Sequence, residues 1–467
     1  MQILDLELGE LAARISAGDI SARAATLASL EALDRAGRAL NCTVEIYAEE
    51  AIAAAEAADQ DLVRGRNHGR LHGVPMAHKD LFDVAGRVVA AGSKIRKSYR
   101  AGSTASAIRS LAEAGAINVG ALHMSELALS PTGYNQHLGP CRNPWNPDFV
   151  TGGSSSGSAA AVAARLIPAS LGSDTGGSAR IPAAACGVTG LKPTYSLVAK
   201  DGVTPLAPSL DCVSPIARSA ADCALLLDVI AGPRAADPAT TNAPRVNYSK
   251  AIGMARKAYR IGVLPSRLLR GVDSEVVQAL DQTLAVFRRL GMRIEEIDID
   301  GFDTLNVLNR TVLVIEAATL HRRDLAERPN DFSGHVRSRL QTGLFLPATR
   351  YLEAITLRGK LARQFVERAF ATVDLVFMPC LPIPVPAIAS DPEGVSGTGS
   401  ADIMDFTRAM NYLGVPAISI PAGFTSSGLP ASFQLVARHF EEARLLAAAH
   451  WYQQETDWHR RQPPAST

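Results

Sequence analysis

Between residues 150 and 215 the chain is built largely from small residues, and this stretch limits the possible folds more than any other. TGGSSSGS (151–158) runs into AAAVAARL, a helix of small side chains. IPASLGSD (167–174) reads as a buried strand, and TGGSARIPAAACG (175–187) rises through a second Gly-rich turn into another helix. Side chains this small let two stretches of backbone approach to contact distance. A strand that ends in a Gly-rich turn before a helix also leaves backbone N–H groups exposed at the helix start. Pro182 fits the first turn of that second helix, where its missing N–H costs nothing.

The rest of the chain supplies a frame for this segment. Residues 1–66 show helical periodicity broken by short polar runs, with Asp19 and Ser21 placed to cap ARAATLASLEALDRAG, and read as a helical N-terminal wrap. LHGVPMAHKDLFDV (71–84) reads as an apolar strand ending in a charged site; VVAAGS (88–93) and AIRSLAEAGAINVGAL (107–122) continue a strand, helix, strand rhythm. Residues 70–235 form the core, and 236–370 a mostly helical region that begins with a polar surface excursion. Residues 371–455 bring back strands in TVDLVFMPC, PAISIPAGF and ASFQLVAR before a C-terminal helix, and HRRQPPAST is an expected frayed tail. Strands at both ends with helices between them predict one α/β domain over residues 1–467.

Charge and cysteine usage narrow the function classes. The 47 basic and 46 acidic residues give a formal net charge of +1, so no field favours a nucleic acid or a membrane surface, and neither is expected as a partner. Cys42, Cys141, Cys186, Cys212, Cys223 and Cys380 are scattered without a C-x-x-C pair and read as reduced, buried thiols of a cytoplasmic protein. The start, MQILDLELGELAARI, carries acids where a secretory signal needs bases, and no apolar run is long enough for a membrane span.

Three clusters can carry chemistry: His78-Lys79-Asp80 at a strand end, Gly152 to Ser158, and Gly172 to Ser178. A serine hydroxyl is a weak nucleophile until a base removes its proton, and Ser-Lys pairs are one known solution. Lysine serves only when neutral, a state that burial favours. Consecutive glycines meanwhile leave N–H groups able to stabilise an oxyanion.

GGSSSGSAAAVAA followed by GSDTGGSARIPAAACGVTGLKPT resembles the signature of the amidase signature family of serine hydrolases. PMAHKDLFDVAG, RNPWNPDFVTGG, NYLGVPAISIPAGF and ASFQLVAR extend the likeness, which is strong over 70–235 and weaker elsewhere. The resemblance implies a mixed sheet covered by helices on both sides. It also implies that Ser178 is the nucleophile, that Ser154 in a cis peptide with Gly153 bridges it to Lys79, and that Lys79 is the base. Ser155 would steady Lys79, and the N–H groups of Thr175, Gly176, Gly177 and Ser178 would form the oxyanion hole, with Asp174 as a structural acceptor. Ser156 departs from the common GGSSGGS form, in which that position is glycine; this bears on loop detail. No cofactor and no metal is expected.

Plainer readings stand beside these. Ser178 alone could be a turn serine and Lys79 a surface residue, but their clustering with two Gly-rich turns argues against both. His78 is read as a supporting residue, and His123 with Glu126 lacks metal-ligand spacing. Gly153-Ser154-Ser155-Ser156-Gly157 formally matches the G-x-S-x-G elbow of α/β-hydrolase esterases, with His335 or His439 as partner, but this leaves GSDTGGS and HKD unexplained. A phosphate-binding module lacks the required glycine–lysine pattern.

Within the family the main expectation is a stand-alone amidase acting on a neutral amide, anilide or carbamate. A homodimer is expected only from the habit of large soluble enzymes. The alternative is the glutaminase (A) subunit of a tRNA-dependent amidotransferase. Such subunits hold glutamine through an arginine, matched by Arg337 or Arg339, and an acid. The acidic position falls on Met404, with Asp405 one residue out of register. Met124, Leu127 and Tyr134, in HMSELALSPTGYNQ, are the candidate substrate-pocket residues.

Overall fold

In the computed structural model, residues 3–254, 256–390 and 402–464 are described. A three-stranded sheet holds β1 (Thr43–Ile46), β2 (Pro75–Lys79) and β3 (Ile117–Leu122) in the order β1-β3-β2. β2 runs parallel to β3, with Lys79 opposite Leu122. A short hairpin, β4 (Arg142–Asn143) and β5 (Asn146–Val150), follows.

The large sheet has eight strands. They are β6 (Ala169–Asp174), β7 (Thr189–Lys192), β8 (Cys212–Ala217), β9 (Arg260–Val263), β10 (Arg293–Glu296), β11 (Leu375–Pro379), β12 (Ala417–Phe424) and β13 (Pro430–Val436). Their order is β10-β9-β11-β13-β12-β7-β8-β6. β10, β9 and β11 are parallel neighbours, and the remaining pairs are antiparallel. The mixed sheet and the single α/β domain expected from the sequence are therefore present.

The small residues do what their size predicts. α1 (Ser156–Ala163) is buried at every position, against both sheets. A Cβ on Gly157 would lie 2.4 Å from the His123 nitrogen and 2.5 Å from the Cys42 carbonyl oxygen, so only glycine lets α1 come this close to β3. Gly172 on β6 meets Ser155 in the same way, its Cβ position 2.6 Å from Oγ. Side chains then stitch the two sheets together: Ser170 Oγ donates to the Ala77 carbonyl (2.7 Å) and the Leu171 N–H donates to His78 Nδ1 (3.1 Å). These bonds bring the end of β2 beside the end of β6.

Five further helices frame the site: α2 (Arg180–Cys186), α3 (Phe302–Glu327), α4 (Gly334–Phe345), α5 (Ala348–Ala369) and α6 (Arg408–Leu413). Pro182 does lie in the first turn of α2, and Ser21 caps its helix by accepting from Ala24 N–H at 3.0 Å. Among the described residues no helix is long and apolar enough to cross a membrane. All six cysteines are buried, unpaired thiols.

Two expectations fail. VVAAGS is not a strand: Val88 makes one isolated bridge to Arg100, and Ala91 and Gly92 take positive φ of 49° and 64°, which turns the chain. The N-terminal wrap contains β1, whose short run Thr43–Ile46 is identified by pairing with β3, not by its own periodicity.

Two glycine-to-alanine changes should move stability in opposite directions. Gly172→Ala places a methyl on Ser155 and should cost about 1–3 kcal/mol. Gly359→Ala, mid-helix on α5 with nothing within 4 Å, should add about 0.5–1 kcal/mol. Urea unfolding of both variants checks the signs.

Candidate active site

Lys79 ends β2 with 1% of its surface exposed. Its Nζ lies 2.8 Å from Ser154 Oγ and 2.8 Å from Ser173 Oγ. Burial drives its pKa down from 10.5 to about 7, against the opposing pull of Asp211 and Asp174. A neutral amine is therefore accessible at ordinary pH. His78, one residue earlier, is pushed down to about 3 by burial and accepts from Leu171.

Ser154 is fully buried just ahead of α1, and the Gly153–Ser154 peptide is cis. Its carbonyl accepts from Ser125 N–H at 3.2 Å. Ser155 does not reach Lys79. Its hydroxyl donates to the Ser173 carbonyl and accepts from the Ser173 N–H, both at 3.2 Å. The second hydroxyl on Lys79 belongs instead to Ser173, which sequence reasoning does not single out. Local alternation does not mark it, since Ser170, of the opposite parity on β6, also reaches β2 through its side chain. Ser156 fits where glycine is usual, with Oγ 2.9 Å from His123 Nδ1 and 3.2 Å from the His123 carbonyl oxygen.

Ser178 is 5% exposed in the turn between β6 and α2, and its carbonyl accepts from Ser155 N–H at 3.1 Å. That bond ties the two Gly-rich turns together. Asp174 organises the turn from within. Its Oδ1 accepts from Gly177 N–H at 2.8 Å, and its Oδ2 from the N–H groups of Ala179 and Arg180, both at 3.3 Å. The Gly177 N–H is thus spent on Asp174, although the family resemblance implies it as an oxyanion donor. Arg180 grips the same carboxylate through Nε and Nη2, each at 3.0 Å, with both side chains fully buried. Burial raises the Asp174 pKa, but the Arg180 guanidinium outweighs it and holds the acid at about 2.

The pocket candidates separate. Met124 is buried beside Gly92 and Asn135, and Leu127 is buried in a left-handed turn with φ 48°. Tyr134 lines a small, partly open pocket with Glu126, Ser130, Ser333 and His335, at the start of α4. Arg337 donates to Pro329 and Asn330, and Arg339 donates to the Leu129 carbonyl at 2.6 Å. Met404 reaches the turn directly, its Cε 3.0 Å from a Cβ built on Gly176. His439 Nε2 donates to the Leu413 carbonyl, 3.0 Å away, and the ring sits against Gly414. Among the described residues no group of acids, histidines and cysteines could hold a metal.

The chain has relatives along nearly its whole length. The family described as Amidase matches residues 24–446. The glutamyl-tRNA(Gln) amidotransferase A subunit of Geobacter sp. (strain M21) is 34% identical, over 99% of this chain and 100% of its own. The native peptide amidase of Stenotrophomonas maltophilia superposes with a TM-score of 0.87 at 29% identity, covering 99% of each chain. A protein from a vestigial complex, described as revealing the evolutionary origins of an s-triazine catabolic enzyme, gives 0.89 at 31% identity, covering 96% and 98%.

The Geobacter relative corrects one expectation. Its name is that of one subunit of an enzyme acting on a tRNA, which overturns the expectation that excludes nucleic acid as a partner and offers only a homodimer. A net charge of +1 describes one chain only and does not exclude nucleic acid from an assembly that would contain it. Matched over nearly its whole length, the chain belongs to the amidase family of enzymes acting on carbon–nitrogen bonds.

Proposed function

We propose that this chain hydrolyses the amide of glutamine through an acyl-enzyme on Ser178, as the glutaminase (A) subunit of a tRNA-dependent amidotransferase. The observation that carries the chemistry is a buried lysine near neutrality, 2.8 Å from Ser154 Oγ. Neutral Lys79 takes the Ser154 proton as Ser154 takes that of Ser178, and Ser178 Oγ attacks the amide carbon. The oxyanion is met by N–H groups of the Thr175–Ser178 turn other than that of Gly177. The proton returns through Ser154 to the leaving nitrogen, which departs as ammonia. Water, deprotonated by the same relay, then attacks the ester and releases the acid.

Support for the assembly comes from relatives of that name, 34–36% identical over 95–99% of this chain. A tRNA would meet the assembly through surfaces that partner subunits supply, which is consistent with the balanced charge of this chain.

A second reading keeps the chemistry and removes the partners, and one observation favours it. The position expected to carry the glutaminase acid is Met404, packed on Gly176, while Asp405 accepts from the Asp402 N–H at 3.0 Å. A thioether there suits a neutral acyl group. Under this reading the chain alone cleaves a simple amide, anilide or carbamate.

Hydrolysis of L-glutamine, butyramide, an anilide and an aryl carbamate, by the chain alone and with amidotransferase partner subunits, separates the two. Ammonia release from glutamine that requires or rises with the partners supports the first reading. Turnover of butyramide or the carbamate alone, with glutamine inert throughout, replaces it with the second. Ser178→Ala and Lys79→Ala should each lower kcat by about 10³-fold or more, and the double variant should lose no more than either single one.

A further inference from the structure

The turn from Asp174 to Ser178 has a property that its own sequence does not show. Each of its five successive carbonyls accepts a hydrogen bond. Asn411 Nδ2 donates to Asp174 (2.9 Å), Asn309 Nδ2 to Thr175 (3.3 Å) and Thr407 Oγ1 to Gly176 (2.7 Å). Backbone N–H groups of Ile181 and Ser155 serve Gly177 (2.8 Å) and Ser178 (3.1 Å). The last two come from the signature segment itself. The first three come from α3 and from the start and body of α6, more than a hundred residues away in sequence.

A trans peptide is planar, with its C=O and the following N–H pointing in opposite directions. Fixing the Thr175 carbonyl therefore fixes the direction of the Gly176 N–H, and fixing that of Asp174 does the same for Thr175. The Gly176 carbonyl aims the Gly177 N–H, which already has Asp174 Oδ1 as its acceptor. Asn309 thus acts on the turn through the Thr175–Gly176 peptide. It is fully buried, and the Thr175 hydroxyl is anchored independently on Asp211 at 2.6 Å. The identity of its amide atoms follows from the bond, since an oxygen facing the Thr175 carbonyl would be repelled.

We infer that Asn309 is a positioning residue for the oxyanion hole: by holding the Thr175 carbonyl from α3 it aims the Gly176 N–H at the developing negative charge. The inference rests on the amidase reading of Ser178. It gives the 236–370 region, read from sequence as mostly helical, a part in the chemical step. Hydrogen bonds that matter only when charge develops act on kcat and on tetrahedral analogues, and leave ground-state binding unchanged.

The test compares Asn309→Leu with Asn306→Leu. Asn306 lies one turn earlier on α3 and donates to the Asp405 carbonyl, not to the turn. Phenylboronic acid, which forms a tetrahedral anion on an active serine, is titrated by its shift in melting temperature and by inhibition of whichever amide of the panel is turned over. Asn309→Leu should weaken boronate binding and lower kcat together, each about 10–100-fold, with KM within about threefold. Asn306→Leu should change neither. Asn309→Ala, which brings no new bulk, repeats the measurement should the leucine variant fail to fold. Boronate affinity within about twofold of the parent in a folded Asn309 variant overturns the inference, as does an equal loss in Asn306→Leu. Boronate binding that survives Ser178→Ala overturns the Ser178 reading itself, and this inference with it.

Discussion

The arrangement depends on one costly act, the burial of Lys79. An ammonium removed from water without a dedicated counter-ion is strongly disfavoured, so the side chain is driven toward its neutral form. The two carboxylates nearest in charge terms, Asp174 and Asp211, do not bind it; they are committed to Arg180 and to Thr175 with the 206–207 backbone. Their distant pull keeps the pKa from falling further. Lysine is left with two hydroxyls, one on each Gly-rich segment, and a hydroxyl can exchange a proton where a carboxylate would trap one.

Around that lysine the molecule is assembled from both ends of the chain. The Asp174–Arg180 pair lies at the meeting point, fully enclosed, and Arg180 continues outward to Gln434 on β13, to Asn411 on α6 and to the Thr407 carbonyl. A buried ion pair of this kind gives little net stability of its own, and removing one partner strands the other. Its effect is geometric: it holds the turn bearing Ser178 against strands and helices formed some 230 residues later. The candidate site is therefore a property of the whole domain, although most of its polar groups fall within one short segment.

How much of this could be read from sequence follows from the range of the interactions. Short-range devices were legible. The strand β6, the helices α1 and α2, the capping Ser21, Pro182 in its first turn and the burial of Lys79 follow from local residue size, spacing and hydrogen-bonding groups. Contacts set by tertiary packing were not. Ser173 in place of Ser155 on Lys79 depends on which face of β6 meets β2, and Asn309 on the docking of a helix whose own pattern is mostly apolar and charged. VVAAGS has the composition of a strand but turns away at Ala91 and Gly92 after a single bridge from Val88 to Arg100. The exclusion of nucleic acid failed for another reason, because net charge is summed over one chain and says nothing about what else an assembly would hold.

The proposed activation of Ser178 by neutral Lys79 can be tested without knowing the natural substrate. The measurement is the rate of covalent labelling by phenylmethylsulfonyl fluoride from pH 5 to 9, followed by intact mass, with peptide mapping of the adduct. One adduct is expected, on Ser178. Its rate should fall as pH drops through about 7, where Lys79 gains its proton, and labelling should be nearly absent in Lys79→Ala. Labelling at another residue, or a rate on Ser178 that is flat across this range and survives Lys79→Ala, would contradict it.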